Sequence, residues 1–67
     1  MTQEYTIKIQ NLYENRSREV RVNGQNPMTV HKDIYMKELK LDEEISSICD
    51  SDMQIVFELK KGFTSVN

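Results

Sequence analysis

The sequence predicts a small α+β domain, with an antiparallel sheet and one or two short helices packed on one of its faces. Three observations predict it. Two runs near the N-terminus alternate apolar and polar residues, a third alternating run lies near the C-terminus, and the stretch between them carries apolar residues at helical spacing. At 67 residues the chain makes one domain, residues 1–67.

The first run, EYTIKIQ, sets Tyr5, Ile7 and Ile9 on one side and Thr6, Lys8 and Gln10 on the other. That is the period of a half-buried strand. The second, REVRVNG, sets Val20 and Val22 against Glu19 and Arg21. The polar YENRS between them suits the loop of an antiparallel hairpin, with the isoleucines and valines side by side on the core face. NGQNP then breaks the chain, since Asn-Gly accepts positive φ and the residue before proline avoids helical angles.

MTVH fits two elements. It reads as a short third strand, or as the opening of a helix with Asn26 as cap and Pro27 in the first position. DIYMKELK reads as helix, capped by Asp33. A second helical piece is expected from Leu41 to Cys49, because Leu41, Ile45, Ile48 and Cys49 fall at i, i+4, i+7 and i+8. One helix from Asp33 to Cys49 would bury Lys37 and Glu38, so a break near Lys40 is favoured. DSD is a turn. MQIVFELK is the strongest strand pattern, with Met53, Ile55, Phe57 and Leu59 on one face and Val56 hinting at a covered second face. FTSV reads as a short edge strand or a frayed tail.

A fold this small buries only about 60% of the surface its unfolded chain exposes. Such domains gain stability from disulfides, metals or association. Cys49 is the one cysteine and His31 the one histidine, so an internal disulfide is excluded and a closed zinc site lacks ligands. Self-association as a homodimer is therefore expected, through the sheet edge of Met53 to Lys60 or of the N-terminal hairpin. No run approaches the ~20 apolar residues that span a bilayer. The N-terminal MTQEYTIKIQ has no apolar run behind a basic start, and with a free cysteine this points to the cytoplasm.

The most unusual feature is acidic. Asp42, Glu43, Glu44, Asp50, Asp52 and Glu58 lie in a stretch with no Lys or Arg between Lys40 and Lys60, although the net charge is only -2. Helix-end electrostatics and turn chemistry account for much of it: Asp42 would cap a helix, Glu43 and Glu44 would sit in its first turn, and Asp50 and Asp52 would shape the corner. The functional alternative is a negative surface that steers a basic protein partner into contact, with Glu43, Glu44, Asp50, Asp52 and Glu58 as its contact residues. Asp50 and Asp52 are spaced like the first ligands of a calcium loop, but the glycine and distal glutamate of that loop are missing.

A second constellation is basic. Lys8, Arg16, Arg18 and Arg21 cluster on the expected hairpin, and a β-ribbon of this kind can enter a major groove. Glu14 and Glu19 dilute it, and Lys8 paired with Glu19 across the strands explains part of it. Cys49 with His31 is the one nucleophile–base combination, yet Cys49 falls on the apolar stripe, where it behaves as a small hydrophobe. Catalysis and cofactors are not expected. The expectation is a non-enzymatic interaction protein that regulates or inhibits a partner, an accessory protein of the kind phages and mobile elements carry. A nucleic-acid-binding regulator is the alternative.

Overall fold

The computed structural model describes residues 2–64. The elements are β1 (Gln3–Asn11), β2 (Ser17–Gly24), α1 (Pro27–Lys37), β3 (Glu43–Cys49), β4 (Ile55–Glu58) and β5 (Gly62–Phe63). All pairings in the sheet are antiparallel, in the order β2-β1-β3-β4-β5. No described helix is long and apolar enough to cross a membrane.

The N-terminal hairpin forms as its alternation dictates. Tyr5 stands opposite Val22, Ile7 opposite Val20, and Lys8 opposite Glu19. Tyr5, Ile7 and Ile9 are buried, and Val20 and Val22 pack against them. Asn11 fastens the loop: its side-chain Oδ1 accepts the backbone N–H groups of Tyr13 and Glu14.

MTVH opens the helix. Asn26 is extended and its Oδ1 accepts the N–H of Thr29 at 2.9 Å, with Pro27 in the first turn where its missing N–H is no loss. Asp33 therefore lies inside α1 and is not a cap. Val30 and Ile34, one turn apart, are buried in the same cluster as Tyr5, Ile7, Ile9, Ile45, Ile48 and Phe57. The helix ends at Lys37, short of the break expected near Lys40 between two helices: Glu38 caps α1, donating its N–H to Ile34 O at 2.9 Å.

Beyond the break the chain forms a strand. The helix expected over Leu41–Cys49 is replaced by β3, and a bulge accounts for the helix-like spacing of its apolar residues. Ile9 of β1 stands opposite Ile45, whereas Lys8 stands opposite Ser47. Ser46 is the extra residue. A bulge opposes two residues to one and resets the alternation. Ile45 and Ile48, three apart, thus face the same core, which imitates helical spacing. Leu41 is fully exposed and belongs to no stripe.

A second bulge corrects the expectation for β4. Ile48 pairs with Phe57 and Cys49 with Ile55, which leaves Val56 over. Only Phe57 of the four predicted core positions is buried, and Val56 packs against the core in their stead. Met53 sits in the turn at φ 64°, and Met53, Ile55 and Leu59 are exposed. The far side of β4 is paired with β5, so Met53 to Lys60 is not an open edge. Phe63 and Thr64 of FTSV continue this pairing, Thr64 donating its N–H to Val56 O at 2.9 Å; Ser65 and Val66 lie outside the described residues.

Candidate interaction surface

The two constellations picked out in the sequence meet. Arg18 of β2 stands opposite Ile9 and reaches across β1 to Glu43 at the start of β3. Its Nε donates to one carboxylate oxygen of Glu43 at 2.9 Å and its Nη2 to the other at 3.0 Å, a two-pronged contact that fixes both side chains. The same Nη2 donates to Glu38 O at 3.0 Å, and Lys40 donates its backbone N–H to Glu43 at 3.1 Å. A cleft of about 280 Å³ opens beside this pair and is lined by Ile9, Arg16, Arg18, Lys40, Asp42 and Glu43. Its three cations and two carboxylates nearly balance.

Arg18 and the backbone of Lys40 hold the Glu43 carboxyl well below its ordinary value of 4.5, at about 2. The same hydrogen bond raises the Arg18 pKa. A carboxyl whose folded-state pKa is depressed binds protons less readily when folded. This contact therefore stabilises the fold above about pH 4.5, and that contribution fades as the pH falls toward 2. In Arg18→Met the Glu43 midpoint, followed by the carboxyl carbon shift, is expected to move back toward 4.5, with a smaller loss of stability across that window. A midpoint still near 2 in the variant would show that the backbone donor alone sets it.

The remaining acids separate into two places. Glu44 stands opposite Gln10 and accepts from its side-chain amide, while Asp42 accepts from Asn11 Nδ2 at 2.9 Å. Asp50 and Asp52 lie at the other end of β3, in the turn to β4. Asp50 Oδ1 accepts the N–H groups of Asp52 at 2.9 Å and Gln54 at 3.0 Å, which ties it to turn formation. Seven strand residues separate the two ends, about 23 Å at about 3.3 Å per residue. Glu58 of β4 stands opposite Ser47, between them. The predicted contact residues thus form no continuous helix-and-corner patch, and Glu43 is neutralised by the hairpin.

The basic set is divided as well. Arg16 pairs with Glu14, and Arg18 is held by Glu43. Lys8 and Arg21 lie on the sheet face opposite Ile7 and Val20, Lys8 across from both Glu19 and Ser47.

His31 of α1 sits against Phe57 at 4.7 Å and Phe63 at 5.5 Å between ring centroids, and lies parallel to Tyr35 at 6.3 Å. Burial lowers its pKa. Cys49 stands opposite Thr6, next in the strand after Ile48, so alternation puts it on the other face of the sheet. The sheet itself separates the two groups. Sequence reasoning missed the aromatic cluster because its members are scattered between residues 31 and 63 in sequence and carry no common period.

No protein-family model, no curated protein and no solved structure matches this chain.

Proposed function

We propose that the chain is a small non-enzymatic interaction protein that binds a protein partner with a basic surface and regulates or blocks it. The contact surface in this reading is the hairpin of β3 and β4, with Glu44, Asp50, Asp52 and Glu58. Glu43 drops out of it. One observation supports the reading: the donors that meet Glu44 and Asp50 are neutral amides, which orient a carboxylate without cancelling its charge. Glu58 has Lys61 at 3.9 Å, but both side chains are well exposed and such a pair is worth little in water. Negative charge standing on a rigid hairpin speeds encounter with a cationic surface and selects against anionic ones.

The nucleic-acid reading loses Arg18 to Glu43, while Arg16 pairs with Glu14 only at the exposed surface. Phosphate neutralisation by Lys8, Arg16 and Arg21 gives a shallow salt dependence and weak binding.

The test is affinity capture from lysate of the source cells, with the Glu44→Gln, Asp50→Asn, Asp52→Asn, Glu58→Gln variant as control. Circular dichroism establishes that the variant folds. The expected result is a basic partner retained by the wild type, lost with the variant, and released at about 1 M salt, where the screening length is about 3 Å. Equal capture by both proteins would remove the acidic surface from the proposal. A mobility shift on DNA or RNA abolished by Arg21→Ala would favour the second reading.

A further inference from the structure

Among the described residues one edge of the sheet is β2, which pairs with β1 alone. Its eight residues run in unbroken register with β1, and none is proline. Exposed regular edges of this length invite a further strand; β2 lacks the bulges and prolines that blunt an edge, its inward charge, Arg18, is held by Glu43, and its remaining charges, Glu19 and Arg21, restrict which strand can pair with it. The direction of the free backbone groups is set at the loop. Asn11 donates its N–H to Arg16 O at 2.9 Å. Paired residues in an antiparallel ladder alternate between exchanging hydrogen bonds and not exchanging them. Counting from Asn11–Arg16, the backbone groups of Arg18, Val20 and Val22 turn toward β1. Those of Ser17, Glu19, Arg21 and Asn23 turn outward.

We propose that this edge pairs antiparallel with the same edge of a second copy of the chain, about a two-fold axis passing beside Val20. Symmetry and charge select the register. A two-fold axis normal to the sheet keeps the core faces of both copies on the same side, so residues standing opposite each other come from the same face. Three registers are centred in the strand. Centring on Glu19 sets carboxylate against carboxylate, and centring on Arg21 sets guanidinium against guanidinium; like charges directly opposite are destabilising. Centring on Val20 sets Glu19 opposite Arg21 of the second copy and, by symmetry, Arg21 opposite Glu19.

The other positions agree with this register. Val20 meets Val20 of the second copy on the core face, where each already packs beside its own core. Ser17 stands opposite Asn23, two side chains able to hydrogen-bond. Arg18 stands opposite Val22, and its charged end is drawn away to Glu43, so its aliphatic stem is what faces the valine. Two five-stranded sheets then form one of ten strands. The complementarity is of the edge with itself, which is why the occupant is another copy and not an unrelated strand. The inference does not depend on the β3–β4 surface, and either can fail without the other.

Sedimentation velocity over a dilution series tests it, with Arg21→Glu and the exchange Glu19→Arg with Arg21→Glu, the exchange made together with Lys8→Glu so that position 19 keeps an opposite charge across from it on β1. Arg21 stands opposite the neutral Thr6 within its own chain, so its replacement spares the monomer, which thermal melting checks. The wild type is expected to sediment as twice 7.9 kDa at high concentration and to dissociate on dilution. Arg21→Glu sets carboxylates opposite each other twice and is expected to weaken the dimer about tenfold or more. The double exchange restores opposite pairs and is expected to recover the wild-type behaviour. A mass of 7.9 kDa at every concentration overturns the proposal. So does a dimer that Arg21→Glu leaves intact, or one that the double exchange fails to restore.

Discussion

Ile48→Ala is expected to remove most of the stability of the fold. Ile48 has no solvent exposure and is the β3 residue that meets a core residue on each side, Ile7 of β1 and Phe57 of β4. Truncating a buried isoleucine to alanine costs about 2–5 kcal/mol, the transfer of the lost methyl groups plus the cavity left behind. A domain of this length holds roughly 3–10 kcal/mol in all, at 0.05–0.15 kcal/mol per residue. The urea midpoint, followed by far-ultraviolet circular dichroism, should fall toward zero. Cys49→Ala, one residue along and on the other face, should change the stability by less than about 1 kcal/mol. Similar midpoints for the two variants would mean that the bulge at Ser46 does not set the facing of β3 as described.

Gly24→Ala is expected to destabilise the protein by about 1–3 kcal/mol, the usual range for overpacking. In most strands this substitution is favourable by roughly 0.5–1 kcal/mol, because glycine loses the most freedom on folding. Here the end of β2 passes against α1. A β-carbon on Gly24 would collide with Cγ2 of Val30 and touch the Tyr5 ring at 3.9 Å. Val30 is 2% exposed, and a valine in a helix keeps one rotamer in about nine cases of ten, so the helix itself must shift. Chemical denaturation of Gly24→Ala, Val30→Ala and the double variant measures this. The double variant should be more stable than the sum of the single losses predicts, by about 0.5–3 kcal/mol. Strict additivity would show that the two sites do not press on each other.

These two positions also show what the sequence carried and what it did not. The N-terminal hairpin was legible as two strands with their core faces, since Tyr5, Ile7, Ile9, Val20 and Val22 alternate without interruption; of its register only the Lys8–Glu19 pair was. The start of α1 was legible as one of two readings, through Asn26 and Pro27. β3 was not legible. Ile45 and Ile48 are three apart both in a helix stripe and in a bulged strand, and one sequence holds nothing local that marks Ser46 as the inserted residue. β4 failed for the same reason at Val56. Both errors come from assuming that the period is unbroken.

The candidate surface was half legible. The charges themselves stand in the sequence, but their pairing is a tertiary matter. Arg18 and Glu43 are 25 positions apart and meet because β1 lies between their strands. A charge run in sequence says nothing of which side chains a neighbouring strand will claim. The turn role expected for Asp50 did arise from local chemistry, because its acceptor reaches N–H groups two and four residues on.

The strand order has a consequence for biosynthesis. β1 emerges early from the ribosome yet ends in the middle of the sheet, with Ile7 and Ile9 waiting for Ile48 and Ile45. Until residues 43–49 have been translated, Val30 and Ile34 of α1 can cover part of the greasy face, but the flank of β1 stays vacant. That interval is where a chaperone, or a neighbouring nascent chain, would compete for the place of β3.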